Sequence, residues 1–254
     1  MKKALTTPCP VKTGVVQCYI RRNKTGTNKL FPEYHVYMKD GDRFLMCSKK
    51  RAKNRTSNYL ISMRAGDLDR NSPSYLGKLR ANFVGTEFTV FDAGGNPRDG
   101  DDGGGAAGAR RELGCVLYAS NVLGSRGPRK MQVAIPTLRQ DGTPEPWQPD
   151  GREKDMEMLA RLKQHDHSRL FYAINKPPRW NDQVGAYVLN FNGRVTMASV
   201  KNFQLVSPDD QENVILQFGR VGQSEFTMDF QHPMSPLQAF AITLSSFDSK
   251  IACD

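Results

Sequence analysis

The sequence predicts an all-β fold with one buried helix near its C-terminal end. Three observations carry this. Short runs rich in β-branched and aromatic residues recur along the chain, and clusters of Gly, Pro, Asn and Asp separate them. Residues 233–247 carry no charge, and within them Ser235-Pro236 reads as a helix N-cap followed by proline at the first helical position.

The elements follow in order. Gly14-Val-Val-Gln-Cys-Tyr-Ile20, Glu33-Tyr-His-Val-Tyr-Met38 and Arg43-Phe-Leu-Met-Cys47 read as the first strands, with Asp40-Gly41 as the hairpin turn between the second and third. Further strands are expected to begin at Asn58, Tyr75, Glu87, Leu113, Lys130, Leu170, Tyr187, Val195, Phe203, Val214 and Glu225. So many short strands in one chain point to a barrel or a sandwich. Residues 152–164 place Met156, Leu159 and Leu162 three apart among charges, the pattern of a surface helix. The segment after Pro236 is apolar or small on every face, so it should be buried all round. A closed sheet around it satisfies both the strand signals and the helix, and Ala239, Ala241, Ser245 and Ser246 would let strands approach closely. Residues 93–109 are dominated by Gly and read as a solvated loop. Gly103-x-Gly105-x-x-Gly108 matches the dinucleotide pattern in form only, because no strand-turn-helix context surrounds it.

Composition narrows the function classes. Of 254 residues 38% are hydrophobic and 24% charged, enough apolar material for a proper core. The formal charge of +10 predicts attraction to polyanions, whether nucleic acid, anionic lipid or acidic protein. Cys9, Cys18, Cys47, Cys115 and Cys253 are odd in number and widely spaced, which fits a reducing compartment. Asn23 and Asn54 open glycosylation-acceptor patterns, but the first residues lack the apolar stretch that secretion needs, so both read as chance matches. Residues 233–247 are too few and too polar to span a bilayer, so membrane contact is expected to be peripheral.

No enzyme signature stands out: there is no G-x-S-x-G, no H-E-x-x-H and no phosphate-binding loop of the Walker type. His165-Asp166-His167 lacks a third ligand and reads as a solvated loop; neither a metal nor a cofactor is expected. The cations are more informative. Lys49, Lys50, Arg51, Lys53 and Arg55 place five positive charges in residues 49–55, either a solvated hairpin loop or an electrostatic approach surface. In Ser74-Tyr-Leu-Gly-Lys-Leu-Arg80, strand alternation puts Lys78 and Arg80 on one face with Leu76, and turns Leu79 inward. Two such cations repel unless an anion sits between them. A carboxylate would serve, and so would a phosphate, which matches the planar donor fork of Arg and the point charge of Lys.

Several longer segments then identify a family. Thr56-Ser-Asn-Tyr-Leu-Ile-Ser62, Ser74-Tyr-Leu-Gly-Lys-Leu-Arg80, Asn121-Val-Leu-Gly-x-x-Gly-Pro-Arg-Lys-Met131 and Tyr187-Val-Leu-Asn-Phe-x-Gly-Arg-Val195 closely resemble the C-terminal domain of Tubby and Tubby-like proteins. So do Ala198-Ser-Val-Lys-Asn-Phe203, Gln217-Phe-Gly-Arg-Val221 and the segment from Gln238 to Lys250, all in the family's order. The resemblance implies residues 1–13 as a short extension before a domain at residues 14–254: a closed twelve-stranded antiparallel-type barrel threaded by its hydrophobic C-terminal helix. It implies binding of phosphatidylinositol 4,5-bisphosphate through Asn58, Lys78, Arg80 and Arg110, with Arg111 able to replace Arg110 after a one-residue shift. The run from Lys49 to Arg55 would add nonspecific attraction. Family members act as non-enzymatic adaptors for membrane-protein cargo, notably toward cilia, and leave the plasma membrane for the nucleus when phospholipase C destroys the lipid. The expected protein is therefore a monomer at the cytosolic face of the plasma membrane and in the cytoplasm. The elements that bind trafficking complexes in relatives precede the barrel and are not expected to transfer. A DNA-binding or transcription-linked module is the alternative, motivated by the net charge and by the family.

Overall fold

The computed structural model describes residues 1–52, 54–95, 108–119, 130–148, 157–183 and 185–248. In chain order, β1 (Val16–Asn23), β2 (Glu33–Met38), β3 (Arg43–Lys50), β4 (Asn58–Ser62) and β5 (Tyr75–Ala81) each pair with the next. The wall continues through β6 (Glu87–Asp92), β7 (Glu112–Tyr118), β8 (Met131–Pro136) and β9 (Leu170–Asn175). The short strands β10 (Arg179–Asn181) and β11 (Ala186–Val188) form a separate ribbon. Then β12 (Phe203–Ser207), β13 (Asp210–Arg220) and β14 (Glu225–Phe230) complete the wall, and β14 pairs with β1 to close it. Every pairing around this twelve-stranded barrel is antiparallel. Closure leaves the barrel wall itself without an edge strand.

Among the described residues the α-helices are α1 (Lys2–Thr6), α2 (Met158–Lys163) and α3 (Pro236–Phe247). The last occupies the lumen. Its start is fixed by a capping box, in which Ser235 accepts from the Gln238 backbone N–H at 3.2 Å while the Gln238 side chain accepts from the Ser235 N–H at 2.8 Å. Residues 237–247 are all buried. Its aromatic end, Phe247, meets Tyr34, Phe218 and Phe226 at centroid distances of 4.5, 5.2 and 4.7 Å. Leu5 of α1 and Cys9 join the same apolar cluster, so the first residues pack onto the core. A smaller cluster lies outside the wall, where Met158 and Leu162 of α2 cover Cys115, Ala134 and Leu170.

The helix gives the barrel two distinguishable rims. Gln238 donates to the Leu113 carbonyl at the start of β7, and the Tyr118 hydroxyl at the end of β7 meets Ser245 at 2.8 Å. The turns after β1, β3 and β5 therefore share a rim with the C-terminal end of α3, where Lys50 pairs with Asp248 at 3.0 Å.

Several sequence expectations shift. Strands expected from Leu113, Lys130 and Tyr187 begin one residue away, and the one expected from Val214 begins at Asp210. Val195 starts no strand. It packs against the wall at Gly219 instead, where a Cβ would lie 2.3 Å from Val195 Cγ2. The helix expected over residues 152–164 is described from Met158, and residues 152–156 lie outside the described residues, as do Gly103, Gly105 and residues 121–129. Leu76 does not share the face of Lys78. The register between β4 and β5 slips between Ile61 and Ser62, and this irregularity lets both Leu76 and Leu79 enter the barrel core.

Candidate functional site

The wall formed by β3 to β6 carries two parallel rows of outward-facing residues. Tyr59, Ile61, Leu79, Phe88 and Val90 belong to the core, so their strand neighbours face out. One row is Lys49, Leu60, Lys78 and Phe91, opposed in register across four strands. The next is Asn58, Arg80 and Thr89, nearer the rim where α3 ends. Successive rows on one face lie about 7 Å apart. The wall thus brings together Asn58, Lys78 and Arg80, with Asn58 and Arg80 directly opposite one another.

Arg110 reaches the same patch from the segment before β7. Its guanidinium lies 4.3 Å from the centroid of the Phe91 ring, and Lys78 Nζ lies 5.7 Å from that centroid. Phe91 therefore gathers two cations. Arg111 is committed elsewhere: its Nε donates to Asp92 Oδ2 and its backbone N–H to Asp92 Oδ1, both at 2.9 Å. β5 can lie this close to β6 because Gly77 lacks a side chain; a Cβ there would sit 2.2 Å from the Phe91 carbonyl oxygen.

Burial sharpens the electrostatics. Lys78 is 5% exposed and Asn58 3%, although both face away from the lumen. Asn58 Oδ1 is buried and has no hydrogen-bond partner among the described residues. Arg80 is exposed and makes no ion pair among them. Burial pushes the Tyr75 hydroxyl up to about 12, opposed by the nearby charges of Arg70, Arg110 and Arg51. The patch is consequently a buried amide and aromatic floor ringed by guanidinium groups, a setting that favours a multiply charged anion.

The basic run divides. Lys49 donates to Asn28 at 2.5 Å, while Lys50 serves the end of α3 through Asp248. Arg51 and Arg55 are exposed in the turn beside Asn58, and Lys53 lies outside the described residues. Behind the patch, Glu112 is buried and accepts from the Met158 N–H at 2.8 Å; burial raises its carboxyl from 4.5 to about 7. Cys9, Cys18, Cys47 and Cys115 are buried and unbridged, and burial pushes the Cys18 and Cys47 thiols up to about 12. Of the tripeptide at residues 165–167, Asp166 pairs with Arg161 and the His167 ring stacks on Tyr172 at 4.0 Å. Among the described residues no three His, Cys, Asp or Glu side chains are grouped to hold a metal ion.

The Tub family model matches residues 5–249. The chain belongs to the Tub family. It is 47% identical to mouse Tubby-related protein 2 over 99% of this chain and 45% of that protein. Human Tubby-related protein 3 is 46% identical over 96% of the chain and 56% of its own length. Tubby protein homolog 1 of Caenorhabditis elegans is 41% identical over 94% and 58%. The chain thus spans about half the length of these curated relatives.

Other segments of the Tub resemblance have structural work. Arg194 clamps Asp229 with two hydrogen bonds of 2.8 and 2.6 Å, and Gln217 and Gln204 extend this buried ladder across β13 and β12. Phe91, Tyr75 and Arg70 were not singled out from sequence. The alternation of β6 marks Phe91 as outward, but only the register places it opposite Lys78.

Proposed function

We propose that this Tub-family chain is a non-enzymatic tether that holds phosphatidylinositol 4,5-bisphosphate on the outer wall of its barrel. The supporting observation is the placement of Lys78, almost fully buried yet outward-facing, beside Arg80, Arg110 and the unbonded amide oxygen of Asn58. Three cations at one patch repel one another, and a ligand with adjacent phosphates turns that repulsion into attraction. Lys78 and Arg110 would take one phosphate over Phe91; Arg80 and the Asn58 amide would take the other. Arg110 suits this role better than Arg111, whose guanidinium is occupied by Asp92. Arg51 and Arg55 would add long-range attraction to an anionic leaflet, worth about 1 kcal/mol each and weakened by salt.

In this reading the protein works as a monomer at the cytosolic face of the plasma membrane. It carries membrane-protein cargo, including toward cilia, and is released to cytoplasm and nucleus when phospholipase C removes the lipid. No helix among the described residues is long and apolar enough to cross a membrane. The test is cosedimentation with vesicles containing or lacking phosphatidylinositol 4,5-bisphosphate, using wild type and Lys78→Ala with Arg80→Ala. Lipid-dependent pelleting lost in the double variant is expected. Equal pelleting of both proteins with both vesicle types would sink the reading, and tight duplex-DNA binding that survives the double change would favour a nucleic-acid module instead.

A further inference from the structure

The strands that close the barrel end in a second group of cations. Cys18 and Ile20 of β1 belong to the core, so strand alternation turns Arg22 to the lumenal face. Arg220 of β13 lies in register with Phe226 of β14 and shares its inward face. Both arginines stand at the rim where α3 ends: the Phe226 ring contacts Phe247, and the Arg22 guanidinium lies 5.2 Å from the centroid of Phe226. The two meet at one turn. Arg22 donates to the Gln223 carbonyl at 3.0 Å and Arg220 to the Gly222 carbonyl at 2.9 Å. That turn is itself fixed, because the Arg22 N–H donates to the Ser224 carbonyl at 2.8 Å and the Val221 and Gly222 N–H groups both donate to the Glu225 carbonyl at 3.1 Å.

No carboxylate answers this charge. Glu225 pairs with Arg21 at 3.4 Å, Asp248 pairs with Lys50 at 3.0 Å, and Arg22, Lys24 and Arg220 make no ion pair with any described residue. The C-terminal end of α3 has cations of its own in Lys50 and in Lys201, which donates to the Ser246 carbonyl at 3.3 Å, so the two arginines are not spent on the helix. Arg22 Nε is buried without a hydrogen-bond partner among the described residues. Burial holds the Arg22 guanidinium below its ordinary value and the charge of Arg220 lowers it further, partly offset by the Tyr34 hydroxyl. Arg22 in turn lowers the exposed Lys24 ammonium. Three cations this close repel one another, and an anion set among them removes that repulsion.

We propose that this mouth of the barrel is a second anion site, in which Arg22, Arg220 and Lys24 take a phosphate group. Each guanidinium keeps N–H groups beyond the one spent on the turn, and these suit the oxygens of a phosphate, while Lys24 adds a flexible point charge from the solvent side. The phosphate can belong to a lipid headgroup or to a soluble phosphate ester. The mouth site lies on the other side of the barrel from Lys78 and Arg80, so it stands or falls independently of the phosphoinositide reading.

The experiment is run in the Lys78→Ala, Arg80→Ala protein, where the wall is silenced. Calorimetry with pyrophosphate tests the soluble source, and cosedimentation with phosphatidylcholine vesicles containing or lacking phosphatidic acid tests the lipid source. Adding Arg22→Gln with Arg220→Gln should weaken binding of either probe by at least about tenfold. Lys12→Gln, which removes an exposed charge at the opposite rim, should change neither. Because the arginines also hold the turn, Lys24→Glu supplies a variant that leaves the turn untouched, and it should abolish phosphate binding at an unchanged thermal midpoint. Site-dependent binding of pyrophosphate alone assigns a soluble ligand, and of phosphatidic acid vesicles alone a headgroup; either supports the site, as does binding of both. An equal loss in Lys12→Gln overturns it in favour of diffuse surface charge. Normal binding by Lys24→Glu overturns it in favour of arginines that serve only the turn. Failure of both probes to bind overturns it as well, and leaves the wall to its own test with wild-type protein.

Discussion

The lumenal helix and the outer wall over β4 to β6 both bury polar groups, but they complete them differently. In the lumen, Thr243 donates to the Ala239 carbonyl, Ser245 to Ile242 and Ser246 to Thr243, so the helix satisfies its own hydroxyls. On the wall, Asn58 keeps a buried oxygen that bonds to nothing among the described residues. Polar burial that closes on itself builds a fold, whereas polar burial left open is the mark of a site. The contrast predicts that mutations in the lumen act on stability and mutations on the wall act on binding.

The largest expected effect lies inside. Phe240 is fully buried within α3, and Phe240→Ala should cost about 3–5 kcal/mol through lost transfer energy and the cavity left behind. Urea denaturation followed by circular dichroism would measure it. Loss of headgroup affinity in the fraction that remains folded would break the contrast.

Next comes Glu112, which lies on the wall yet serves the fold. Its carboxyl titrates near 7 in the folded protein against 4.5 ordinarily, because burial disfavours the charge. The folded state therefore holds the proton more tightly, and the associated stability is fully present below about 4.5 and lost as pH rises through about 7. Glu112→Gln keeps an oxygen to accept the Met158 N–H but removes the titration. Relative to wild type, this variant should gain on the order of 3 kcal/mol in stability between pH 4 and pH 8. Parallel stability curves for the two proteins across that range would count against the assignment.

How much of this was legible before the structure depends on what each feature needs. The lumenal helix was fully legible, because Ser235, Pro236 and an uncharged run are local signals. Most strand starts were legible for the same reason. The face of Leu76 was not, since it turns on one slipped register, and neither was β10, whose three residues, Arg179–Asn181, show no alternation long enough to read. A string of cations does not say which way each one points. Lys49, Lys50 and Arg51 adjoin in sequence but serve Asn28, the end of α3 and the patch in turn. Lys78 and Arg80 follow from charge and strand alternation and Asn58 from a matching motif, whereas the place of Asn58 opposite Arg80 needed the register between β4 and β5. Phe91 needed the register between β5 and β6.

A wall variant should show the reverse of the lumenal one. Lys78→Met preserves side-chain volume and removes a buried charge, so stability should hold or rise slightly, as apolar replacement of buried ions often gives. Vesicle affinity should fall about 10–100-fold, corresponding to the loss of one charge-assisted contact of about 1.5–3 kcal/mol. Matched urea and cosedimentation measurements on one preparation make the comparison direct. A Lys78→Met protein that is markedly less stable yet binds vesicles normally would move Lys78 from the site to the fold.

The finest distinction separates two adjacent arginines. Arg110 lies over Phe91 beside Lys78, while Arg111 holds Asp92 in an ion pair whose guanidinium is exposed. Removing an exposed pair costs at most about 1 kcal/mol of stability, and less in high salt. Arg111→Ala should therefore lower the thermal midpoint slightly and leave headgroup binding intact, whereas Arg110→Ala should weaken headgroup binding with little change in the midpoint. The released Asp92 carboxylate complicates the first variant, because an unneutralised anion near the patch would repel the phosphates. Asp92→Asn combined with Arg111→Ala removes that anion too, so full headgroup affinity in the double variant, set beside its loss in Arg110→Ala, assigns the contact to Arg110 alone.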